Sequence, residues 1–302
     1  MSQQDLPPQH QRITWLYLRF LGLLSLTAFT SLWGQAMGLF GHKGIIPFTE
    51  RVQRVNALGD EAGWTAIDYL EVIPSLLYWN PSDNAIHICF ALGTLASLGI
   101  ILNRLTAPML VIAWLSYKSI AHAGGVFLQF QWDILLLELL LCALFLAPWG
   151  SWRRFYSLHA PPLAAIWMHR VLLFKLMFLS GMVKLLSQDE VWFDLSALDY
   201  HYWTQPIPHA LSYWAHNLPL SIHQLSCAIM FVIELILPFG FFGPRRVRRF
   251  VFLAQVLFQV AIIATGNYGF FNFLTIALCL LILDDGQLPR RSSLALPSIP
   301  SG

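Results

Sequence analysis

The chain alternates long apolar runs with short polar connections. Eight runs cover residues 13–39, 85–102, 106–123, 131–148, 163–186, 221–243, 249–266 and 268–284. A transmembrane helix needs roughly 17 to 25 apolar residues, and each run is of about this length. Because backbone polar groups in lipid must be hydrogen-bonded internally, such runs favour helices. We predict an all-α integral membrane protein with about eight transmembrane helices.

Two connections are too long to be simple links, and the alternation of spans places both on the same side of the membrane. The first, residues 40–84, contains WTAIDYLEVIPSLLYW, which is apolar on one side and predicts a helix lying in the interface. The second, residues 187–220, is rich in Trp and Tyr, which favour the headgroup region. We expect interfacial helices in both loops, forming a lid over that face.

Composition supports membrane insertion and bounds the domain organisation. The chain is 57% apolar and 11% charged, whereas soluble domains are about 25% charged. The first apolar run lacks a small-residue cleavage site and is long enough to span, which argues against a secretory signal peptide. We predict one polytopic domain over residues 1–286 and a disordered Pro- and Ser-rich tail over 287–302.

The positive charges give the orientation of the spans. With a cytoplasmic N-terminus, the outer loops receive only Lys43, Arg51 and Arg54. The inner face then receives Arg12, Arg104, Arg153, Arg154, Arg245, Arg246, Arg248, Arg249, Arg290 and Arg291. Cytoplasmic loops carry the excess of Lys and Arg, so both termini are predicted to be cytoplasmic. The PRRVRR segment, residues 244–249, is interpreted as a topogenic loop, with anionic-lipid binding as the alternative.

Polar side chains inside the spans are costly and therefore indicate function. Most of them fall in the outer half of the membrane. We predict that they line one polar cavity, open to the outer side, with the substrate-binding set Lys118, His122, Gln129, Gln131, Asn267, Asn272, Tyr200 and His201. The candidate catalytic residues are Lys184, Asp133 and Glu138.

Several ion pairs are possible within this set. Lys175 and Glu234 lie nearer the midplane and are predicted to pair. Asp133 with Lys184 or Lys118 is the structural alternative to a catalytic site, since such a pair holds helices in register. Burial disfavours the charged form of a lysine and makes it a usable base, whereas an adjacent carboxylate opposes that change. Arg19 and Arg170 lie close enough to the inner face to snorkel.

Metal and redox sites are weakly indicated. His201, His209, His216 and His223 are regularly spaced, but prolines interrupt any helix that would align them, so we interpret them as interfacial histidines and predict no metal site. The four cysteines are isolated within apolar runs, which argues against a disulfide framework. The chain also has no P-loop, nucleophile elbow or dinucleotide fingerprint.

Four motifs together resemble the lipase maturation factor family: WLYLRFLGLLSLTAFTSLWGQAMGLFGHKGIIP, FQWDILLLE, GMVKLLSQDEVWFDLSALDYHYWTQPIP and TGNYGFFNFLTIALCLLILDD. They extend from about residue 15 to 285. The resemblance implies a multi-pass protein of the endoplasmic reticulum membrane, or of a bacterial inner membrane, that helps secreted lipases fold from the lumenal or periplasmic side. The soluble domain usual in the family after the LDD motif is absent from this sequence.

A second resemblance bears on chemistry. GMVKLLSQDEVW is similar to the segment of vitamin K-dependent γ-carboxylases that carries their catalytic lysine, which matches Lys184. The alternative function is therefore a membrane enzyme using Lys184 as a base on a quinone or another lipid-soluble substrate. A transporter is disfavoured because no inverted repeat is visible. The expected partners are membrane lipids and a client such as a lipase, without nucleic acid, and no cofactor is expected unless the enzyme interpretation holds.

Overall fold

A computed structural model describes residues 9–149, 152, 155 and 157–288, and the elements within them are helical. The α-helices are α1 (Gln11–Phe40), α2 (Phe48–Ala62), α3 (Ala66–Val72), α4 (Asp83–Ile101), α5 (Thr106–Gly124), α6 (Gln131–Ala143), α7 (Leu163–Leu186), α8 (Glu190–Phe193), α9 (Ala197–Thr204), α10 (Ala210–His216), α11 (Leu220–Phe231), α12 (Arg245–Thr265) and α13 (Phe271–Cys279). Helix α11 continues as a π-helical turn, Val232–Ile236, and a 3-10 helix, Leu237–Phe242. The all-α prediction is confirmed.

Five helices are long and apolar enough to cross a membrane: α1, α4, α7, the continuous Leu220–Phe242 segment and α12. The other three predicted spans correspond to α5, α6 and α13. Helix α6 ends at Ala143, earlier than the predicted limit of 148, and α13 forms a shorter apolar helix that extends to Ile282. The protein is a multi-pass membrane protein, and the number eight stays a prediction.

Helix α1 occupies the centre of the helical assembly. Of its most apolar window 61% is buried, whereas the corresponding value for α12 is 17%, so most of α12 is not covered by the other described helices. Small residues bring α1 and α4 close together. A Cβ on Gly93 would lie 2.2 Å from the Phe29 ring, and the hydroxyls of Ser25 and Ser97 are 2.9 Å apart. Close backbone approach and interhelical hydrogen bonds are typical of membrane helix packing.

The two long loops are largely helical. Residues 40–84 form α2, α3 and a 3-10 turn at Leu76–Tyr78. The predicted helix over residues 64–79 is therefore split, because Pro74 lacks the N–H that a continuous helix needs. Residues 187–220 form α8, α9 and α10. The exposed aromatic side chains Trp79, Trp203, Tyr213 and Trp214 project from these two segments.

The LDD motif joins the ends of three helices at the predicted inner face. The Asp285 carboxylate accepts hydrogen bonds from the backbone N–H groups of Ile13, at 2.9 Å, and Arg12, at 3.1 Å, and so caps α1. Asp284 is fully buried and accepts from Arg248 Nη2 at 2.6 Å and Arg245 Nε at 3.0 Å. Two arginines of the PRRVRR segment thus have a structural role beyond topology.

Arg19 and Arg170, which the sequence places near enough to the inner face to snorkel, are instead buried. The Arg170 guanidinium donates to the carbonyls of Leu281, at 3.0 Å, and Ile282, at 3.1 Å. Gln287, the first residue of the predicted tail, donates to the Arg245 carbonyl at 2.9 Å. Residues 289–302 lie outside the described residues, as do Arg153 and Arg154.

Candidate functional site

An ion pair joins α7 to the π-helical turn that follows α11. Lys184 Nζ lies 2.8 Å from Glu234 Oε1 and 2.6 Å from Oε2, and it also donates to the Ser180 carbonyl at 3.1 Å. The Glu234 side chain is 6% exposed and that of Lys184 is 21% exposed. An ammonium group has three donors, and the two Glu234 oxygens with the Ser180 carbonyl supply three acceptors for it.

The backbone around Glu234 is irregular. A π-helical turn spans Val232–Ile236, and such turns occur frequently at functional sites. Gln255 of α12 is fully buried and donates from Nε2 to the Ile233 carbonyl at 3.0 Å. This contact supplies a partner to a carbonyl next to the glutamate. Helices α7, α11 and α12 therefore all contribute to the position of the Lys184–Glu234 pair.

The close approach of α7 to this turn depends on Gly181. A Cβ at Gly181 would lie 2.6 Å from Leu235 Cδ2 and 3.2 Å from Glu234 Cβ. We expect Gly181→Ala to lower the free energy of unfolding by about 1–3 kcal/mol through overpacking. Gly34→Ala in α1 is the matched control, since no atom lies within 4 Å of its Cβ position. Thermal unfolding of both purified variants tests this, and equal stability of the two would contradict it.

An aromatic side chain lies beside the amine of Lys184. Its Nζ lies 5.7 Å from the centroid of the Trp192 ring, which itself makes an edge contact with Phe231 at 6.2 Å. A cation over a Trp face gains electrostatic attraction, mostly where water is excluded. Helix α8, which carries Trp192, thus places an aromatic ring beside the lysine. The site combines a buried ion pair with an aromatic cover.

His201, a predicted cavity residue on α9, pairs with an aromatic side chain. Its Nε2 is 2.8 Å from the Tyr268 hydroxyl, and the two rings are stacked with centroids 6.3 Å apart. Burial is the main cause that lowers the pKa of His201 below its ordinary value of 6.5, and the Lys184 cation lowers it further. Both causes favour the neutral form of the imidazole ring.

This depressed pKa predicts a pH dependence. The unfolded chain binds the His201 proton more tightly than the folded one, so stability from this group is lost as pH falls through about 6.5 and below. We expect the wild type to lose more thermal stability between about pH 7.5 and about pH 5.5 than His201→Gln does. His42→Gln, at an exposed position, should keep the wild-type pH dependence. An identical pH profile for wild type and His201→Gln would contradict the prediction.

The expected pairings of the other charged residues were wrong. Asp133 accepts a hydrogen bond from the Tyr117 hydroxyl at 2.6 Å and pairs with neither Lys184 nor Lys118. Lys175 donates to Glu138, whereas it was expected to pair with Glu234. Counting along the spans placed Glu234 near the midplane of the membrane. In the structure it lies level with the C-terminal end of α7, so α11 begins beyond that end of α7. Glu138 is thus bound to a lysine other than Lys184.

The polar residues predicted to line one cavity make separate contacts in the described structure. Lys118 Nζ lies 5.0 Å from the Trp114 ring centroid, and the His122 carbonyl accepts from Arg51 at 2.7 Å. The remaining members are dispersed: Gln129, Gln131, Asn267 and Tyr200 are exposed, and Asn272 is buried. The catalytic and binding roles of all these residues, Lys184 and His201 included, stay predictions.

The buried polar residues beside the candidate site that sequence reasoning missed lie on α12. Gln255 and Gln259 are both buried, and Gln259 accepts a hydrogen bond from the Asn272 amide at 2.8 Å. Two glutamines four residues apart share one face of a helix, and amides on an otherwise apolar span indicate that this face is buried. That spacing was a usable signal. Among the described residues, no group of three His, Cys, Asp or Glu side chains is arranged to hold a metal ion.

Comparisons with known proteins give one consistent result. Residues 12–290 match the family model described as the lipase maturation factor transmembrane domain. Lipase maturation factor 2 of Xenopus laevis is 40% identical over 291 residues, which cover 93% of this chain and 40% of that protein. The human lipase maturation factor 2 is 39% identical, with 90% and 40% covered.

A second set of relatives is more distant. Lipase maturation factor 1 of Mus musculus is 31% identical over 287 residues, which cover 94% of this chain and 49% of that protein. This chain therefore spans less than half the length of these relatives. No solved structure gives a significant match.

Proposed function

Because the chain belongs to the lipase maturation factor family, we propose that it assists the folding and maturation of client proteins, lipases among them. It would act from the lumenal or periplasmic face of an endoplasmic reticulum or bacterial inner membrane, with both termini in the cytoplasm. The relatives named for lipase maturation support the client class. The layout of arginines along the sequence supports the side.

The observation that carries the proposal is a set of exposed aromatic side chains on α9 and α10, namely Tyr200, Trp203, Tyr213 and Trp214. Trp203, Tyr213 and Trp214 are 63%, 65% and 68% exposed. Helix α9 packs against α11, the helix that continues into the turn carrying Glu234, through the Tyr202 and His223 rings, whose centroids are 5.6 Å apart. Large exposed apolar patches mark interaction sites. This surface would hold apolar segments of a partly folded lipase close to the membrane.

The test is co-expression of a secreted lipase with the full chain. We expect a higher active fraction of lipase, measured as specific activity per mass of secreted protein, with an unchanged intact mass. Trp203→Ala together with Trp214→Ala should remove most of this gain. Trp149→Ala is the matched control, because Trp149 is 65% exposed but follows α6 at the inner face. A double variant as active as the control would contradict the proposed surface.

The second candidate is a membrane enzyme that uses Lys184 as a base on a lipid-soluble substrate. Its support is a lysine at the outer end of α7, paired with Glu234 and covered by Trp192. Glu234 replaces Asp133 and Glu138 as the residue that would set the charge on Lys184. A change in the intact mass of the lipase that depends on Lys184 would favour this enzyme over a folding factor.

A further inference from the structure

A buried arginine near the inner end of α1 has no hydrogen-bond partner for two of its nitrogens. Arg19 is 8% exposed, and both Nε and Nη2 are buried without an acceptor. Its guanidinium carbon lies 5.8 Å from the Trp15 ring centroid. Arg170 and Arg248, at the same end of the protein, are paired with carbonyls and with a carboxylate. A buried charged group without partners is costly, so Arg19 requires an acceptor from outside the described residues.

Arg19 lines a small cavity between α1, the α4–α5 turn and the segment after α6. The other lining groups include Gln11, Thr14, Ser157 and His159, and none of the described lining residues is acidic. The Thr14 hydroxyl is also buried without a partner. The cavity is small, about 10 Å³, which is enough for one oxygen-sized atom. The Arg19 guanidinium and the Thr14 hydroxyl, without a carboxylate among the described lining residues, together favour binding of an anion.

We propose that this cavity is a phosphate-binding site, with one phosphate oxygen inserted between Arg19 and Thr14 and the remainder at the mouth. Guanidinium groups suit phosphate because their N–H donors match two of its oxygens. Arg19 and the Thr14 hydroxyl both belong to α1, line this cavity and have donors without a partner, so one oxygen between them would satisfy both side chains. This inference is independent of the proposed function.

The surroundings of the mouth favour the phosphodiester of a membrane lipid as the source. Pro148 lines the cavity and is followed by Trp149, which is 65% exposed. Asn103 also lines it and is followed by Arg104, whose guanidinium lies 5.0 Å from the ring centroid of the exposed Trp152. Exposed tryptophans at the ends of membrane helices lie at headgroup level. A lipid phosphate at that depth would reach the cavity without leaving the bilayer.

The test is thermal unfolding of the purified full chain in detergent with three probes: phosphatidylglycerol, diacylglycerol with the same acyl chains, and inorganic phosphate. We expect phosphatidylglycerol to raise the unfolding midpoint of the wild type and diacylglycerol to leave it unchanged. Arg19→Met should abolish the shift and weaken phosphatidylglycerol binding at least about tenfold, since it removes a charge-assisted contact. Without lipid its midpoint should not fall, because an unpaired buried charge has been removed.

Two further variants keep the test decisive. Thr14→Val preserves shape and should reduce the lipid-dependent shift even if Arg19→Met fails to fold. Arg246→Gln, at an exposed position of the same face, should keep the full shift. A shift caused by inorganic phosphate alone would support the site with a soluble source. A full shift in both Arg19→Met and Thr14→Val, or an equal shift with diacylglycerol, would overturn the proposal.

Discussion

Asp284→Ala is expected to lower the free energy of unfolding by about 3–5 kcal/mol, the usual cost of removing one partner from a buried ion pair. Asp284 is fully buried, and Arg248, whose side chain is 12% exposed, has its carboxylate as a partner at 2.6 Å. Removing the carboxylate leaves this cation without a charged partner at the inner end of α12. Urea or thermal unfolding of the purified variant measures the loss.

The control for this variant is Glu61→Ala at an exposed position of α2, which should remain within about 0.5 kcal/mol of wild type. Asp284→Asn should fall between the two, because it keeps acceptor capacity but loses the charge. If Asp284→Ala were as stable as Glu61→Ala, the LDD motif would not join the helix ends as described.

Glu234→Ala is expected to destabilise the protein by about 3 kcal/mol, at the lower end of the range for a broken buried pair. The lower end applies because the Lys184 side chain is 21% exposed and water can reach part of it. Replacing both residues, Lys184→Met with Glu234→Met, should recover most of the stability, since no unpaired charge remains. Unfolding of the single and double variants gives the coupling energy.

The same double variant separates the two candidate functions. A folding factor that needs the pair only for helix position should keep its effect on a co-expressed lipase when both residues are methionine. An enzyme that uses Lys184 as a base would be folded, inserted and inactive. Single and double variants with purely additive stability losses would show that Lys184 and Glu234 do not interact.

The sequence was sufficient for the fold class because the apolar runs are long and membrane helices satisfy their own backbone. It also singled out Lys184, near the C-terminal end of α7, and His201 as candidate site residues, and their roles stay predictions. It could not give the partner of Lys184, because depth counted from span limits assumes that helices begin and end at the same level. Helix α11 violates that assumption, so Glu234, assigned to the midplane, lies beside Lys184.

The separate contacts of the residues predicted to line one cavity have a similar cause. Polar residues in the outer half of several spans share a depth, but depth says nothing about which way each side chain faces around its helix. Asp133 faces Tyr117 inside the bundle, whereas Glu138, on the same helix, faces Lys175 at a position where both side chains are partly exposed. Rotation about the helix axis depends on packing, which the apolar pattern of a span surrounded by lipid does not encode strongly.

The proposed function requires α9 and the Lys184 site to lie on the translocated face of the membrane. A variant lacking the four native cysteines, with Thr204→Cys in α9 or Arg246→Cys at the start of α12, can be labelled with an impermeant maleimide on sealed cells or vesicles. Both positions are exposed. This orientation predicts labelling at position 204 from the translocated side and at position 246 only after permeabilisation. Labelling at 246 with protection at 204 would contradict it.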